Sequence, residues 1–231
     1  MTTTEDSPRA DVAAASVAVL GGTGDQGRGL ARRLALAGNT VYLGSRKPER
    51  AQQAAAELVE GESSAIDVRG LDNTAAAAAG DIVIVAVPWD GHRELLQGLV
   101  EPLAGKIVVD CVNPLGFDER GPFPLEVEEG SAAQQAEQIL VDSRVTAAFH
   151  HVSARLLLDP DVDEVELDVL VLGEDRAATD TVRELADRIP GVRGVFGGRL
   201  RNAHQVEALT ANIIAVNRRY KTHAGIRITG L

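Results

Sequence analysis

Cysteine, positive charge and long apolar runs are all scarce in this chain. A single cysteine, Cys111, in 231 residues excludes an internal disulfide. No Cys/His spacing suits a metal, so no metal site is expected. Lys and Arg number 23 against 34 Asp and Glu, giving a formal charge of −11 and a pI near 4.9. A nucleic-acid binder normally shows a basic face or stripe, so DNA and RNA are not expected as partners. No stretch approaches the roughly 18 continuous apolar residues that a membrane span needs, and the first residues lack the charged-then-apolar pattern of a signal peptide. These absences predict a cytoplasmic protein with no membrane contact. Residues Met1 to Ala15, polar and Ala-rich without periodicity, are expected to be a disordered tail.

What is present is a set of short, continuous apolar runs: Ser16–Leu20, Val41–Leu43, Ile82–Val87 and Ile107–Asp110. Runs of this kind are expected of strands buried on both faces of a parallel sheet. Helical segments lie between them. The first is expected from Gln26 to Ala37, ended by Gly38 in a left-handed conformation, and the second from Pro48 to Val59. Ala75–Ala79 reads as a short helix capped by Asn73 or Thr74 and ended by Gly80. Past Cys111 the alternation loosens into a Pro/Gly-containing connection, Asn113 to Gly130. A helix at Ser131–Leu140, a strand near Val145, a strand at Val165–Leu172, a helix at Ala177–Ile189, a strand at Val192–Phe196 and a long helix at Asn202–Tyr220 follow. The alternation predicts a Rossmann-type, doubly wound α/β fold with a mostly parallel sheet. Residues 16–145 would form the dinucleotide-binding domain and residues 146–231 a smaller C-terminal α/β portion.

Gly22, Gly24 and Gly27 have the spacing G-x-G-x-x-G directly after the first strand and at the opening of a helix. Each has a steric reason: Gly22 for the tight turn, Gly24 for the approach of backbone to a pyrophosphate, and Gly27 for the packing of helix on strand. The amides at the helix start supply donors and a positive dipole end for the anion. An NAD-specific domain usually places a carboxylate at the end of strand two, to accept from the ribose 2′-OH. This chain instead has Ser45 and Arg46, which can donate to and pair with a 2′-phosphate, and Arg50 one turn into the next helix adds a second positive group. The phosphorylated cofactor, NADP(H), is therefore expected. Two more strand ends, Val87-Pro88-Trp89 and Cys111-Val112-Asn113-Pro114, lie at the carboxyl edge of the sheet, where such ligands cross. Trp89 reads equally well as a packing residue or as a neighbour of the cofactor.

The runs Gly21-Gly-Thr-Gly-Asp-Gln-Gly-Arg-Gly-Leu30, Gly44-Ser-Arg46, Val87-Pro-Trp89 and Asp110-Cys-Val-Asn-Pro-Leu115 together resemble the F420-dependent NADP reductases, also called NADPH:F420 oxidoreductases. The resemblance continues through Ala148-Phe-His-His-Val-Ser-Ala154 and Arg199-Leu-Arg-Asn-Ala-His-Gln-Val-Glu-Ala-Leu209. It implies reversible hydride transfer between NADP(H) and the co-substrate F420, an 8-hydroxy-5-deazaflavin, in a homodimer. By position it matches Thr23, Gly24, Asp25, Gln26, Ser45, Arg46 and Arg50 to NADP contacts. Val87, Asn113 and Ala154 fall on the nicotinamide side. It also implies that at least one of His150 and His151 stands beside the ring, although His151-Val152-Ser153 replaces the Thr-Ile-Pro found in members of that family.

F420 carries a phosphodiester and a glutamate tail. From Arg193 to Leu231 there are seven Lys/Arg and one acidic residue, Glu207, which makes this the basic part of an acidic chain. The same cations suit the end of a helix, and Val206, Leu209, Ile213 and Val216 form an apolar stripe suited to a dimer contact. No catalytic side chain is named, because hydride transfer between two cofactors mainly needs their faces held together. Two other readings stay open on the residues alone: an NADP-dependent imine or carbonyl reductase, and a non-enzymatic NADP(H)-sensing module.

Overall fold

The computed structural model describes residues 11–62 and 65–231. The expected tail falls largely in residues 1–10, outside the described residues. Its last part is packed: Val12 and Ala15 are each 6% exposed, and Asn39 Nδ2 donates to their carbonyls at 2.9 and 2.8 Å. Two apolar side chains and a buried amide overrule a reading based on composition alone.

The chain forms β1 (Val17–Leu20), α1 (Asp25–Leu36), β2 (Val41–Ser45), α2 (Pro48–Glu60), β3 (Val68–Asp72), α3 (Asn73–Ala79) and β4 (Ile82–Val85). A short 3-10 turn at Trp89–Gly91 leads to α4 (His92–Gln97), α5 (Val100–Leu103) and β5 (Ile107–Asp110). There follow β6 (Leu115–Asp118), β7 (Gly121–Pro124), α6 (Ala132–Ile139), β8 (Arg144–Ala147) and α7 (Ala154–Leu158). The chain continues with β9 (Leu167–Gly173), α8 (Arg176–Asp187), β10 (Val192–Gly198) and α9 (Ala203–Tyr220).

Eight strands make one sheet in the order β10-β9-β8-β5-β4-β1-β2-β3. All neighbours are parallel except β8 and β9, which meet in two antiparallel rungs, Thr146↔Gly173 and Ala147↔Leu172. Every residue of β1, β4 and β5 is buried, as continuous apolar runs between two helical layers require. The expected division after residue 145 lies within β8, and the C-terminal portion continues the same sheet. Because the rungs sit at the carboxyl end of β8, the start of β9 rises past that end and walls one side of the edge where β1, β4 and β5 stop.

Several local expectations change. The helix at 73–79 is capped by Asp72, whose carboxylate accepts from Ala75 N at 2.8 Å, and not by Asn73 or Thr74. The fourth strand stops at Val85, leaving Val87-Pro88-Trp89 in the following loop. The 113–130 connection contains the β6–β7 hairpin. Gly38 has φ +95°, the left-handed end expected of α1.

Candidate functional site

The loop between β1 and α1 separates its glycines into two kinds. A Cβ on Gly22 would meet Leu43 Cδ2 at 2.5 Å, and one on Gly27 would meet Gly22 Cα at 2.7 Å. Both glycines are demanded by the protein's own packing. A Cβ on Gly24 would meet nothing closer than the Gly21 carbonyl oxygen at 3.7 Å, and Gly24 has an ordinary extended backbone. Nothing inside the protein requires a glycine there, so the open space above Gly24 fits an external group that needs close approach. Gly24 also begins α1 with no side-chain cap, which leaves first-turn amides directed at that space. Thr23 is half-buried, Asp25 is exposed, and Gln26 Nε2 donates to the Phe149 carbonyl at 3.5 Å.

At the end of β2, Ser45 is buried and its Oγ accepts from Lys47 N at 3.3 Å. Arg46, Lys47 and Arg50 are exposed and have no ion-pair partner among the described residues. Gly22 N donates to the Gly44 carbonyl at 3.0 Å, so this strand end borders the glycine loop, and a hydroxyl followed by three exposed cations within residues 46–50 suits a phosphate group.

On the other side of the carboxyl edge, Asn113 Nδ2 donates to the His150 carbonyl at 3.3 Å and Asn113 Oδ1 lies 3.2 Å from Thr210 Oγ1. Thr210 Oγ1 is also 3.3 Å from the His150 carbonyl, so the end of β5, the 148–152 loop and the middle of α9 meet at one point. Phe149, immediately before, is fully buried with φ +65°, a left-handed conformation costly for a large side chain and held by the packing around it. His150 is buried with neither ring nitrogen hydrogen-bonded among the described residues. Burial pushes its pKa down to about 4, so the ring is neutral at physiological pH. His151 is structural: its Nε2 donates to the Val206 carbonyl at 2.6 Å, and burial lowers its pKa. Val87 is half-buried and lies against Gly21, whose added Cβ would stand 2.6 Å from Val87 Cγ1.

Ala154 opens α7, and this helix is anchored from α1. Gly29 leaves room for Leu157, whose Cβ would lie 2.6 Å from an added Cβ. Buried Arg33 donates to the carbonyls of Leu156 at 2.7 Å and Leu157 at 2.9 Å, as cations suit a helix end.

Beneath the two loops lies a polar chain that the sequence reading missed. Gln135 Nε2 donates to Glu129 Oε2 at 3.1 Å, which turns Gln135 Oε1 toward His92 Nδ1 at 2.9 Å. His92 Nε2 meets Asp110 Oδ2 at 2.6 Å. Both ring nitrogens therefore face acceptors and both must donate, which makes His92 an imidazolium paired with Asp110. Burial opposes that charge, but Asp110 outweighs it and His92's pKa is raised. Trp89 stacks on this ring with centroids 5.5 Å apart, which gives the indole a packing role in the loop. The signal was weak in the sequence because His92, Asp110 and Gln135 are far apart in the chain and become neighbours only through the sheet.

The basic C-terminal segment is smaller than its composition suggests. Arg193 and Arg227 are bound to buried Asp168, and Arg199 pairs with Glu174. The remaining cations are Arg201, Arg218, Arg219 and Lys221. In the apolar stripe of α9, Val206 is buried inside the chain, whereas Leu209 and Val216 are exposed.

A doubly wound, mostly parallel sheet with an open glycine cradle after its first strand defines a Rossmann-type dinucleotide-binding protein. The family model for "NADP oxidoreductase coenzyme F420-dependent" matches residues 16–114. The F420-dependent NADP reductase of Methanocaldococcus jannaschii is 40% identical over 221 residues, covering 93% of this chain and 98% of that protein. That of Methanothermobacter marburgensis is likewise 40% identical, with the same coverage of 93% and 98%. A crystal structure assigned as an F420-dependent NADP reductase from Arthrobacter sp. FB24 superposes with a TM-score of 0.79 at 26% identity, covering 93% of this chain and 99% of that one. The chain belongs to the F420-dependent NADP reductase family.

Proposed function

We propose that this protein is an oxidoreductase that transfers hydride reversibly between NADP(H) and coenzyme F420. The observation that carries the reading is full-length similarity to F420-dependent NADP reductases, joined to a glycine cradle whose Gly24 has no internal reason to be glycine. Nicotinamide and deazaflavin supply the redox chemistry themselves. The chain's own residues bind, orient and exclude water. Gly22, Thr23, Gly24, Asp25, Gln26 and Gly27 form the pyrophosphate loop, and Ser45, Arg46 and Arg50 receive the 2′-phosphate. Val87, Asn113, His150 and Ala154 line the space where the rings meet. His150, buried and neutral, offers a hydrogen bond that a ring substituent can complete. No acid or base is required, so holding the two faces together is the protein's contribution.

The described residues contain no helix long and apolar enough to cross a membrane. We place the enzyme in the cytoplasm, in keeping with one buried, unpaired cysteine. We also read it as a homodimer, since Leu209 and Val216 on α9 and Phe117 and Phe123 on the hairpin are exposed apolar side chains. Sedimentation giving the monomer mass would overturn the dimer. The activity itself is tested by mixing the protein with NADPH and oxidised F420. Loss of the deazaflavin's visible absorbance is expected, and its persistence across acid and alkaline pH would overturn the reading.

A further inference from the structure

The face of α9 that meets the His150 carbonyl leads into a cavity of about 330 Å³ lined by Arg155, Ile214, Asn217, Arg218, Lys221, Thr222 and His223. Thr210, Ile214 and Asn217 recur at spacings of four and three, so they form one stripe at about 100° per residue, and Lys221, the left-handed residue just past the end of the helix, borders the cavity beyond them. At about 1.5 Å per residue the cavity begins about 6 Å along the helix from Thr210, and Arg218 stands about 12 Å along it. The second wall is Arg155, one residue past Ala154 on α7.

No carboxylate lines the cavity, in a chain with 34 acidic residues. Arg155, Arg218 and Lys221 are exposed and have no ion-pair partner among the described residues. The hairpin tip lies beside Arg218, since an added Cβ on Gly121 would be 3.5 Å from Arg218 Nη1. Its carboxylate Asp118 is already engaged, accepting from Arg120 N at 2.8 Å and Gly121 N at 3.1 Å. The end of a helix favours cations by itself, which accounts for Arg218 and Lys221. It does not account for Arg155, which comes from another helix and converges on the same space.

We propose that this cavity is the anion subsite for the phosphodiester and glutamyl tail of the deazaflavin, with Arg155, Arg218 and Lys221 as its charged contacts and Asn217 as a polar one. The inference rests on the hydride-transfer reading above and assigns the part of the substrate remote from the ring. The ribityl chain leaves the ring beside Thr210 and His150, follows the α9 stripe, and delivers the phosphodiester among the cations.

The test compares two deazaflavins, intact F420 and the ribityl deazaflavin that lacks phosphate and glutamate, in the full-length protein. For the double variant Arg218→Ala/Lys221→Ala, the KM for F420 should rise about tenfold or more, the scale of losing charge-assisted contacts. The KM values for the truncated deazaflavin and for NADPH should stay within about twofold. Arg155→Ala should act in the same direction, and added salt should narrow the wild-type preference for F420. Unchanged KM for F420, or equal rises for both deazaflavins, would overturn the subsite while leaving the hydride-transfer reading intact. If the wild type reduces neither deazaflavin, the underlying reading fails and the subsite with it.

Discussion

Gly24 and Gly27 stand three residues apart across the start of α1, one as its N-cap and one in its first turn, and should respond differently to the same added methyl group. In Gly27→Ala the new Cβ meets the Gly22 backbone at 2.7 Å, and neither strand nor helix can yield freely. A loss of about 1–3 kcal/mol in stability is expected from such overpacking. Gly24→Ala should change stability by no more than about 0.5 kcal/mol, yet weaken NADPH binding, because its methyl group occupies the ligand's space. Thermal melts and an NADPH titration on both variants separate the cases, and parallel losses of stability would contradict the division. Arg46→Ala should raise the KM for NADPH about tenfold to a hundredfold and hardly move that for NADH, since a charge-assisted contact contributes about 1.5–3 kcal/mol. Equal changes would remove Arg46 from the phosphate site. The spacing of the glycines was readable from the sequence, but their separate reasons depend on Leu43 and the Gly22 backbone, which approach only in three dimensions.

Helix α4 begins on His92, so the imidazolium–Asp110 pair links the loop after β4 to the end of β5. His92→Gln can satisfy only part of this arrangement and leaves Asp110 buried without its cation. A loss of about 3–5 kcal/mol is expected for breaking such a buried pair. Trp89 is the only tryptophan, so its emission reports on the charged ring stacked against it. Emission should brighten in His92→Gln at neutral pH, and unaltered emission would contradict the stacked imidazolium. The elements legible in the sequence were the apolar runs of β1, β2, β4, β5, β8, β9 and β10 and the helices α1, α2, α3, α6, α8 and α9, whereas α4 and α5, between β4 and β5, are too short to show a period. Strand β3 escaped because Val68 is its one buried residue, as expected at a sheet edge. The β6–β7 hairpin escaped because it is built from glycine and proline and exposes Phe117 and Phe123, giving no alternation to read. Helix α7 is only five residues long, and much of its anchorage comes from Arg33 on a distant helix.

For the whole molecule, two buried carboxyls pull stability in opposite directions with pH. Asp168 is fully buried and held well below the ordinary carboxylate range, first by Arg193, then by Ile228 N and Arg227 against the cost of burial. Its folded pKa is depressed, so its contribution is present above the unfolded value and lost as pH falls through the folded one. Glu207 is also buried, and burial raises it from 4.5 to about 7, although Ala132 N and Ala133 N favour its charge. Its contribution is full below pH 4.5 and lost as pH rises through about 7. His150, lowered from 6.5 to about 4, adds stability as pH rises through that interval and so runs against Glu207, which makes the difference between wild type and a Glu207 variant in urea unfolding the readout. Glu207→Gln should remove the downward slope that this carboxyl adds to the limb between pH 4.5 and about 7. A limb of unchanged slope would contradict the raised Glu207. The two rungs that join β8 to β9 carry one more consequence. Backbone bonding across the sheet is thinnest there, and amide exchange in deuterated water should separate the chain along that line. The amides of β1, β4 and β5 should stay protected longest, while β9, β10 and the C-terminal strap at Ile226–Ile228 exchange earlier as one cooperative group.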